Sequence, residues 1–258
     1  MAITKGPARG VATELKITPE GTKRFFVGLG WNPYDAVGVK IERSKGPSKS
    51  MVSRIANALF APFEFFRVGT LTAANKAVEA AAKAKYTKTT SDSDRKSSAY
   101  DLDLLCYVFD RNMKLTCTIG TSAGETLQDP SKKVSHSGDN RAGSGGQDDE
   151  VISVETEGLP ENCHHFYFVV KCDSKYSFDQ YKNPNARIAD GKDGLSQAEC
   201  YLGAAKTDKD DKRSVGMFNY IFCHAYRDGG GWKFETVDQF VPEGADWANS
   251  MAKLASAA

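Results

Sequence analysis

The sequence predicts a mainly β protein: a β-sandwich that is interrupted by an α-helical hairpin and followed by a short C-terminal helix. Short apolar runs bounded by Gly, Pro, Asn or Asp recur through most of the chain. Between about residues 45 and 98 the apolar residues instead recur at helical spacing. Near the C-terminus, Trp247, Met251 and Leu254 repeat at that spacing. We expect a single domain, 1–258, with a helical insertion at about 45–98.

Nine segments have the composition of β-strands. They are residues 11–17, 24–29, 100–110, 115–119, 151–155, 165–172, 186–189, 217–226 and 232–240. The turn formers Pro19 and Gly21 predict that the first two strands form an opening hairpin, and the run 228–231 predicts a hairpin between the last two. Many strands joined by loops favour a β-sandwich.

The insertion is predicted to be a helical hairpin within residues 51–85. Its first helix carries an aromatic and aliphatic stripe, and the segment 73–85 is rich in alanine. Three roles are open for the stripe: packing on its own domain, docking on a protein partner, or shallow peripheral contact with a membrane. A C-terminal helix is predicted over residues 245–257.

Composition excludes several classes of protein. The chain has 258 residues, of which 40% are hydrophobic and 26% charged, and its formal net charge is +1. A dedicated nucleic-acid binder usually has a strongly basic face, so we expect no nucleic-acid partner. The N-terminus lacks the apolar core of a signal peptide, and the sequence contains no run of about 18 apolar residues that could span a bilayer. These features predict a cytoplasmic protein.

The six cysteines contain no Cys-x-x-Cys pair. In a reducing compartment such cysteines are expected to be buried thiols. An alternative is a site for a soft metal, in which the run 163–165 (Cys-His-His) meets Cys223 and His224 in space.

A glycine-rich acidic loop, residues 137–150, is the strongest functional signal. It contains four glycines, and its four carboxylates outnumber its one cationic residue, Arg141. Glycines let backbone carbonyls turn inward, and Ca²⁺ takes six to eight oxygen ligands. Asp139 and Glu150 stand at positions one and twelve of an EF-hand loop, but Ser144 replaces the required glycine. The loop is therefore either a different cation site or an acidic surface hairpin without a ligand.

Further carboxylates and one histidine extend this signal. Asp101 and Asp103 lie two residues apart in a predicted strand, so both side chains can point at one ion. His136 is too close in sequence to Ser137 and Asp139 to form a catalytic triad with them, and we interpret it as an orienting neighbour of the loop. No nucleophile elbow or metalloprotease helix is present, so we expect no enzymatic activity.

Five motifs together resemble the TerD family of tellurite-resistance and stress-response proteins. They are Val-Gly-Leu-Gly-Trp (27–31), Tyr-Asp-Leu-Asp (100–103), His-Ser-Gly-Asp-Asn-Arg (136–141), Asp-Asp-Glu-Val-Ile (148–152) and Tyr with Gly-Trp-Lys-Phe (226–234). The resemblance covers nearly all of the chain except about 40–98. It implies a β-sandwich that binds Ca²⁺. The ligand residues implied by position are Asp101, Asp103, Asp139, Asn140, Asp148, Asp149 and Glu150, with carbonyls near Gly143 and Gly145.

Several departures from the family pattern imply a weaker site, or one ion instead of two. Ser144 and Gly146 replace acids that are common in the family loop, Asn32 replaces an aspartate, and His224 replaces a glutamate.

The resemblance implies a non-enzymatic calcium-binding module that acts as a binding or scaffold protein in stress response or phage defence, with a membrane-associated Ter complex as a partner. The alternative is a structural or adaptor component, encoded by a phage or mobile element, that residues 51–85 dock into a larger assembly.

Overall fold

The computed structural model describes residues 3–31, 101–140, 148–172, 177–178, 181, 184–202 and 216–241. These residues form two six-stranded antiparallel sheets. The first sheet has the order β1 (Ile3–Lys5), β10 (Ser196–Tyr201), β9 (Asn185–Asp190), β3 (Arg24–Gly30), β7 (Glu150–Glu155) and β6 (Val134–His136). The second has the order β2 (Thr13–Glu14), β12 (Gly231–Val241), β11 (Asn219–Asp228), β8 (His165–Cys172), β4 (Leu102–Phe109) and β5 (Leu115–Ile119).

The main hydrophobic core lies between the two sheets. Alternate residues of each strand face inward, so β3 contributes Phe25, Val27 and Leu29, while β4 contributes Leu104 and Val108. A second cluster is formed by the opposite face of the second sheet, with members Leu105, Phe109, Tyr167, Val169, Ile221 and Val241. This fold confirms the prediction of a mainly β chain with two antiparallel sheets.

The predicted opening hairpin is wrong. Within the predicted strand 11–17 only β2 is extended, and it pairs with β12 in the second sheet. The next strand, β3, lies in the first sheet between β7 and β9. The apolar pattern of β3 is that of a central buried strand, which needs a neighbouring strand on each side. The two residues of β2 are too few to pair with its whole length.

The hairpin between β11 and β12 is confirmed. Asp228 pairs with Gly231, and the two central residues have positive φ angles of 55° at Gly229 and 91° at Gly230. Both angles suit a two-residue turn of the type that glycine favours. Strands β1, β6 and β10 lie outside the segments that the sequence predicts as strands.

The predicted helices, at 51–85 and 245–257, lie outside the described residues. The described part of the chain contains no helix long and apolar enough to cross a bilayer.

A bulge in β11 sets which of its side chains face outward. Ile221 pairs with Val169 of β8 and Cys223 with the adjacent Phe168, so Phe222 is an extra residue. Phe222 and Cys223 therefore both lie in the main core. The next residue, His224, is placed on the outer face of the sheet.

Candidate metal centre

Three carboxylates from three separate elements meet where the two sheets approach each other. Asp103 belongs to β4, Glu150 opens β7, and Asp139 lies in the loop between β6 and β7. One carboxylate oxygen from each lies within 4.8 Å of the others. We call these three residues the carboxylate centre. Asp103 and Glu150 are buried and Asp139 is exposed, so the centre opens to solvent on the side of the loop.

Glu150 is fully buried, and backbone N–H groups bind its carboxylate. The N–H of Leu104 donates to Oε2 at 2.8 Å, and the N–H of Asn140 donates to Oε1 at 3.0 Å. The ladder between β4 and β5 ends at Cys106, so β5 does not reach the edge of β4 at Leu104. Glu150 thus satisfies a backbone donor of the opposite sheet and ties the two sheets together.

His136 lies next to Glu150 but does not neutralise its negative charge. The N–H of Gly138 donates to Nδ1 of His136 at 2.9 Å, so Nδ1 carries the lone pair. The proton therefore lies on Nε2, which donates to the carbonyl of Leu104 at 3.0 Å and lies 3.4 Å from Oε2 of Glu150. His136 is neutral in this arrangement, consistent with its interpretation as an orienting neighbour of the loop.

Asp103 has one neutral and one cationic neighbour. The Thr121 hydroxyl donates to Oδ1 of Asp103 at 3.2 Å. Lys171 is the cross-strand partner of Asp103 on β8, so its ammonium group projects from the same face of the sheet. This lysine reduces the negative potential at the centre. Sequence reasoning missed both residues because neither lies near the loop in sequence.

Asp149 and Asn140 position the loop. The backbone N–H of Trp31 donates to Oδ2 of Asp149 at 3.0 Å, and the N–H of Asp149 donates to the carbonyl of Leu29 at 2.7 Å. The side-chain amide of Asn140 donates to the carbonyl of Asp149 at 3.2 Å. These bonds fix both ends of the loop relative to β3.

Asp148 is directed away from the centre towards Arg187 of β9. The guanidinium Nε donates to one oxygen of Asp148 at 2.8 Å and Nη2 to the other, so both oxygens are engaged. Arg187 is buried and also donates to the carbonyl of Gly194. A Cβ atom at Gly28 would lie 2.3 Å from Oδ1 of Asp148, so the ion pair requires glycine there.

Of the remaining predicted ligands, Asp101 is not one of the three clustered carboxylates, and the two glycines lie outside the described residues. Asp101 precedes β4, and its carbonyl accepts a hydrogen bond from the Tyr181 hydroxyl at 2.9 Å. Gly143 and Gly145 lie outside the described residues. Of the side chains predicted as ligands, the structure therefore brings Asp103, Asp139 and Glu150 together.

The donor set of the carboxylate centre suits a hard divalent cation. Three carboxylates at this separation repel one another, and a cation between them would offset that repulsion. Ca²⁺ and Mg²⁺ prefer oxygen ligands, whereas zinc sites usually include nitrogen or sulfur. Three side chains supply only part of a calcium coordination sphere, so carbonyls or water would complete it.

The cysteines and histidines considered for a soft-metal site do not form one mixed site in the described residues. Cys163 and Cys223 lie in the main core. His164, His165, His224 and Glu235 instead gather at the outer side of the second sheet, and we call these four residues the histidine array. Within it Nδ1 of His165 lies 2.9 Å from Nε2 of His224, and Nδ1 of His224 lies 2.9 Å from Oε1 of Glu235.

Burial controls the ionisation of the histidine array. It lowers the pKa of His165 to about 4, with further lowering by His224 and His164. Burial likewise lowers the pKa of His224, although the bond to Glu235 opposes that shift. The pKa of Glu235 is lowered, mainly by its hydrogen bond from His224. The array therefore pairs neutral imidazoles with an ionised carboxylate near neutral pH.

The fold and the carboxylate centre together define a β-sandwich protein with a candidate cation site at one end. The chain belongs to the TerD family, since the TerD domain matches residues 70–249. The match begins inside the segment 40–98, which the motif resemblance does not cover, and it omits β3. The structure nevertheless places β3 at the centre of the first sheet.

Individual relatives agree with this assignment. The chain is 36% identical over 94 residues to the tellurium resistance protein TerZ of Serratia marcescens, which is 36% of this chain and 47% of TerZ. It is 26% identical to the tellurium resistance protein TerD of the same organism, over 54% of this chain and 71% of that protein. It is 31% identical to the stress response protein SCP2 of Bacillus subtilis, over 41% and 51% of the two chains.

The fold also resembles that of a solved structure. A TerD homologue from Streptomyces coelicolor superposes with a TM-score of 0.50 at 14% identity, covering 90% of this chain and 98% of the other. At this identity the likeness concerns the fold alone.

Proposed function

We propose that this protein is a non-enzymatic member of the TerD family that binds Ca²⁺ at the carboxylate centre. The convergence of Asp103, Asp139 and Glu150 from both sheets within 4.8 Å is the observation that carries the proposal. Two of these carboxylates are buried, and close burial of like charges is unfavourable unless an opposite charge joins them. A bound cation would supply that charge.

The proposed ion would bring elements of both sheets together with the loop. Asp103 would bind it from the second sheet and Glu150 from the first. Asp149 and Asn140 act through hydrogen bonds that position the loop, and Asp148 anchors it through Arg187. Lys171 opposes the ion electrostatically, which supports the expectation of a weak site.

The names of the relatives support a role in tellurium resistance or stress response. We propose that the ion-bound loop presents a binding surface to protein partners, and that residues 51–85 contribute to docking on a Ter complex or another assembly. Deletion of residues 46–88 should leave a folded protein that no longer retains its partners. Unchanged assembly after the deletion would contradict this part of the proposal.

Calorimetric titration of the metal-stripped protein with Ca²⁺ and with Mg²⁺ tests the proposed site. We expect saturable Ca²⁺ binding that Asp139→Asn weakens at least about tenfold, since ligand charge sets Ca²⁺ affinity. Asp193→Asn is the matched control, because it removes one exposed carboxylate next to β9, near Asp190, at the end of the first sheet away from Glu150. Absence of Ca²⁺ binding by the wild-type protein, or equal affinity in both variants, would refute the proposal.

A further inference from the structure

The histidine array has a chain of hydrogen bonds that fixes the position of each proton. Glu235 is ionised and can only accept, so Nδ1 of neutral His224 carries a proton and donates to it. Nε2 of His224 then has a lone pair and accepts from Nδ1 of His165. As a result, Nε2 of His165 carries a lone pair.

That lone pair is available to a ligand. Within the described part of the chain, Nε2 of His165 makes no hydrogen bond, and the residue is only half-buried. Tyr167 stacks flat on His224, with ring centres 4.2 Å apart and planes 2° apart, and holds the imidazole of His224 in place. Tyr226 stacks on the imidazoles of His165 and His224. The lone pair of His165 is therefore held in a fixed direction.

His164 adds a second imidazole next to the first. Its ring centre lies 4.5 Å from that of His165. Nδ1 of His164 is buried and has no hydrogen-bond partner among the described residues, a condition that costs free energy unless a ligand relieves it. Two imidazoles bound to one ion at about 2.1 Å hold their ring centres roughly 5 Å apart, which is close to the observed separation.

We propose that His164 and His165 form a second metal site, which takes a borderline divalent ion such as Zn²⁺. Neutral imidazole suits Zn²⁺, Cu²⁺ and Ni²⁺, whereas Ca²⁺ prefers oxygen ligands. Water completes the coordination of the ion. His224 and Glu235 are positioning residues, because a metal-bound histidine is usually oriented by a hydrogen bond from its other ring nitrogen.

This imidazole site is separate from the carboxylate centre. His165 pairs with Phe109 at one end of the ladder between β4 and β8, whereas Lys171 pairs with Asp103 near the other. Six residues of extended strand separate the two positions by roughly 20 Å. Variants can therefore remove one site and leave the other in place.

The first test reads the tautomers of the full-length wild-type protein by long-range ¹H–¹⁵N NMR. The chain has only four histidines, so four ring systems are expected. His165 and His224 should carry their protons on Nδ1 and His136 on Nε2, which provides an internal contrast. Addition of Zn²⁺ to calcium-saturated protein should shift Nε2 of His165 and leave His136 unchanged. A proton on Nε2 of His165 near neutral pH would overturn the proposal.

The second test titrates the calcium-saturated protein with Zn²⁺ in a calorimeter. His165→Phe keeps a ring but removes both nitrogens, and it should abolish Zn²⁺ binding while Ca²⁺ binding persists. His224→Phe keeps the stacked ring and should weaken Zn²⁺ binding ten- to a hundredfold, the usual effect of losing an orienting partner. Asp139→Asn should leave Zn²⁺ affinity unchanged. Equal Zn²⁺ affinity of wild type and His165→Phe would refute the site.

Discussion

The carboxylate centre, which draws on both sheets, and the histidine array, which lies on the second sheet, are both ionisable clusters, but their charges are balanced differently. In the array, neutral His224 donates to the carboxylate of Glu235 and accepts from His165, so the one carboxylate has its partner within the cluster. At the centre, Glu150 is held by backbone N–H groups and a neutral His136, which orient its charge without cancelling it. Calcium should therefore stabilise the protein through the centre and not through the array.

The largest expected effect on stability comes from removing the carboxylate of Glu150, which joins the two sheets. Glu150→Ala leaves the N–H groups of Leu104 and Asn140 without their acceptor, and should lower the free energy of unfolding by about 3 kcal/mol in metal-free protein. Glu155→Ala, at the other end of β7, removes a partly exposed pair with Lys133 and the attraction to its cross-strand partner Arg24, and should cost about 1 kcal/mol. Urea denaturation of both variants measures the difference, and equal losses would contradict this account.

Calcium should stabilise the protein by a somewhat smaller amount. At a concentration one hundred times the Kd, a ligand that binds only the folded state adds about 2.7 kcal/mol. Asp139→Asn should reduce this gain to about 1.4 kcal/mol or less, since a tenfold higher Kd leaves the ion at ten times the Kd, and should hardly change the metal-free protein, because Asp139 is exposed. Thermal unfolding with and without Ca²⁺ measures both quantities. An undiminished calcium gain in Asp139→Asn would place the ion elsewhere.

The smallest effect should come from the array. His224→Phe loses its hydrogen bonds to Glu235 and from His165 but keeps the stacking on Tyr167, so the metal-free protein should lose about 1.5 kcal/mol. Its stabilisation by Ca²⁺ should equal that of the wild type. If His224→Phe instead abolished the calcium gain in thermal unfolding, the two clusters would be coupled and the contrast between them would fail.

Local patterns predicted most strands and the acidic loop, because both depend on residues near one another in sequence. Strand β10 carries a usable signal of the same local kind, because polar Gln197 and Glu199 alternate with apolar Ala198 and Cys200. The pairing of Asp148 with Arg187 could not be predicted in this way. It joins residues 39 positions apart, and their approach depends on the order of strands in the first sheet.

The outward position of His224 was equally hidden from sequence reasoning. Simple alternation through β11 from Tyr220 would place His224 in the core and Cys223 outside. The extra residue Phe222 reverses that assignment. The adjacent apolar residues Phe222 and Cys223 do not by themselves reveal that the strand has a bulge at this point.

The bulge at Phe222 means that the length of β11, and not only its composition, encodes the histidine array. Deletion of Phe222 alone would restore simple alternation without turning either half of the strand, because Tyr220 and Cys223 would still face the core and Ile221 and His224 would still face outward. Deletion of one residue between His224 and the hairpin at Gly229 would instead turn His224 towards the core. Among descendants of this gene, loss of the residue at 222 should therefore be tolerated better than loss of one residue between His224 and Gly229.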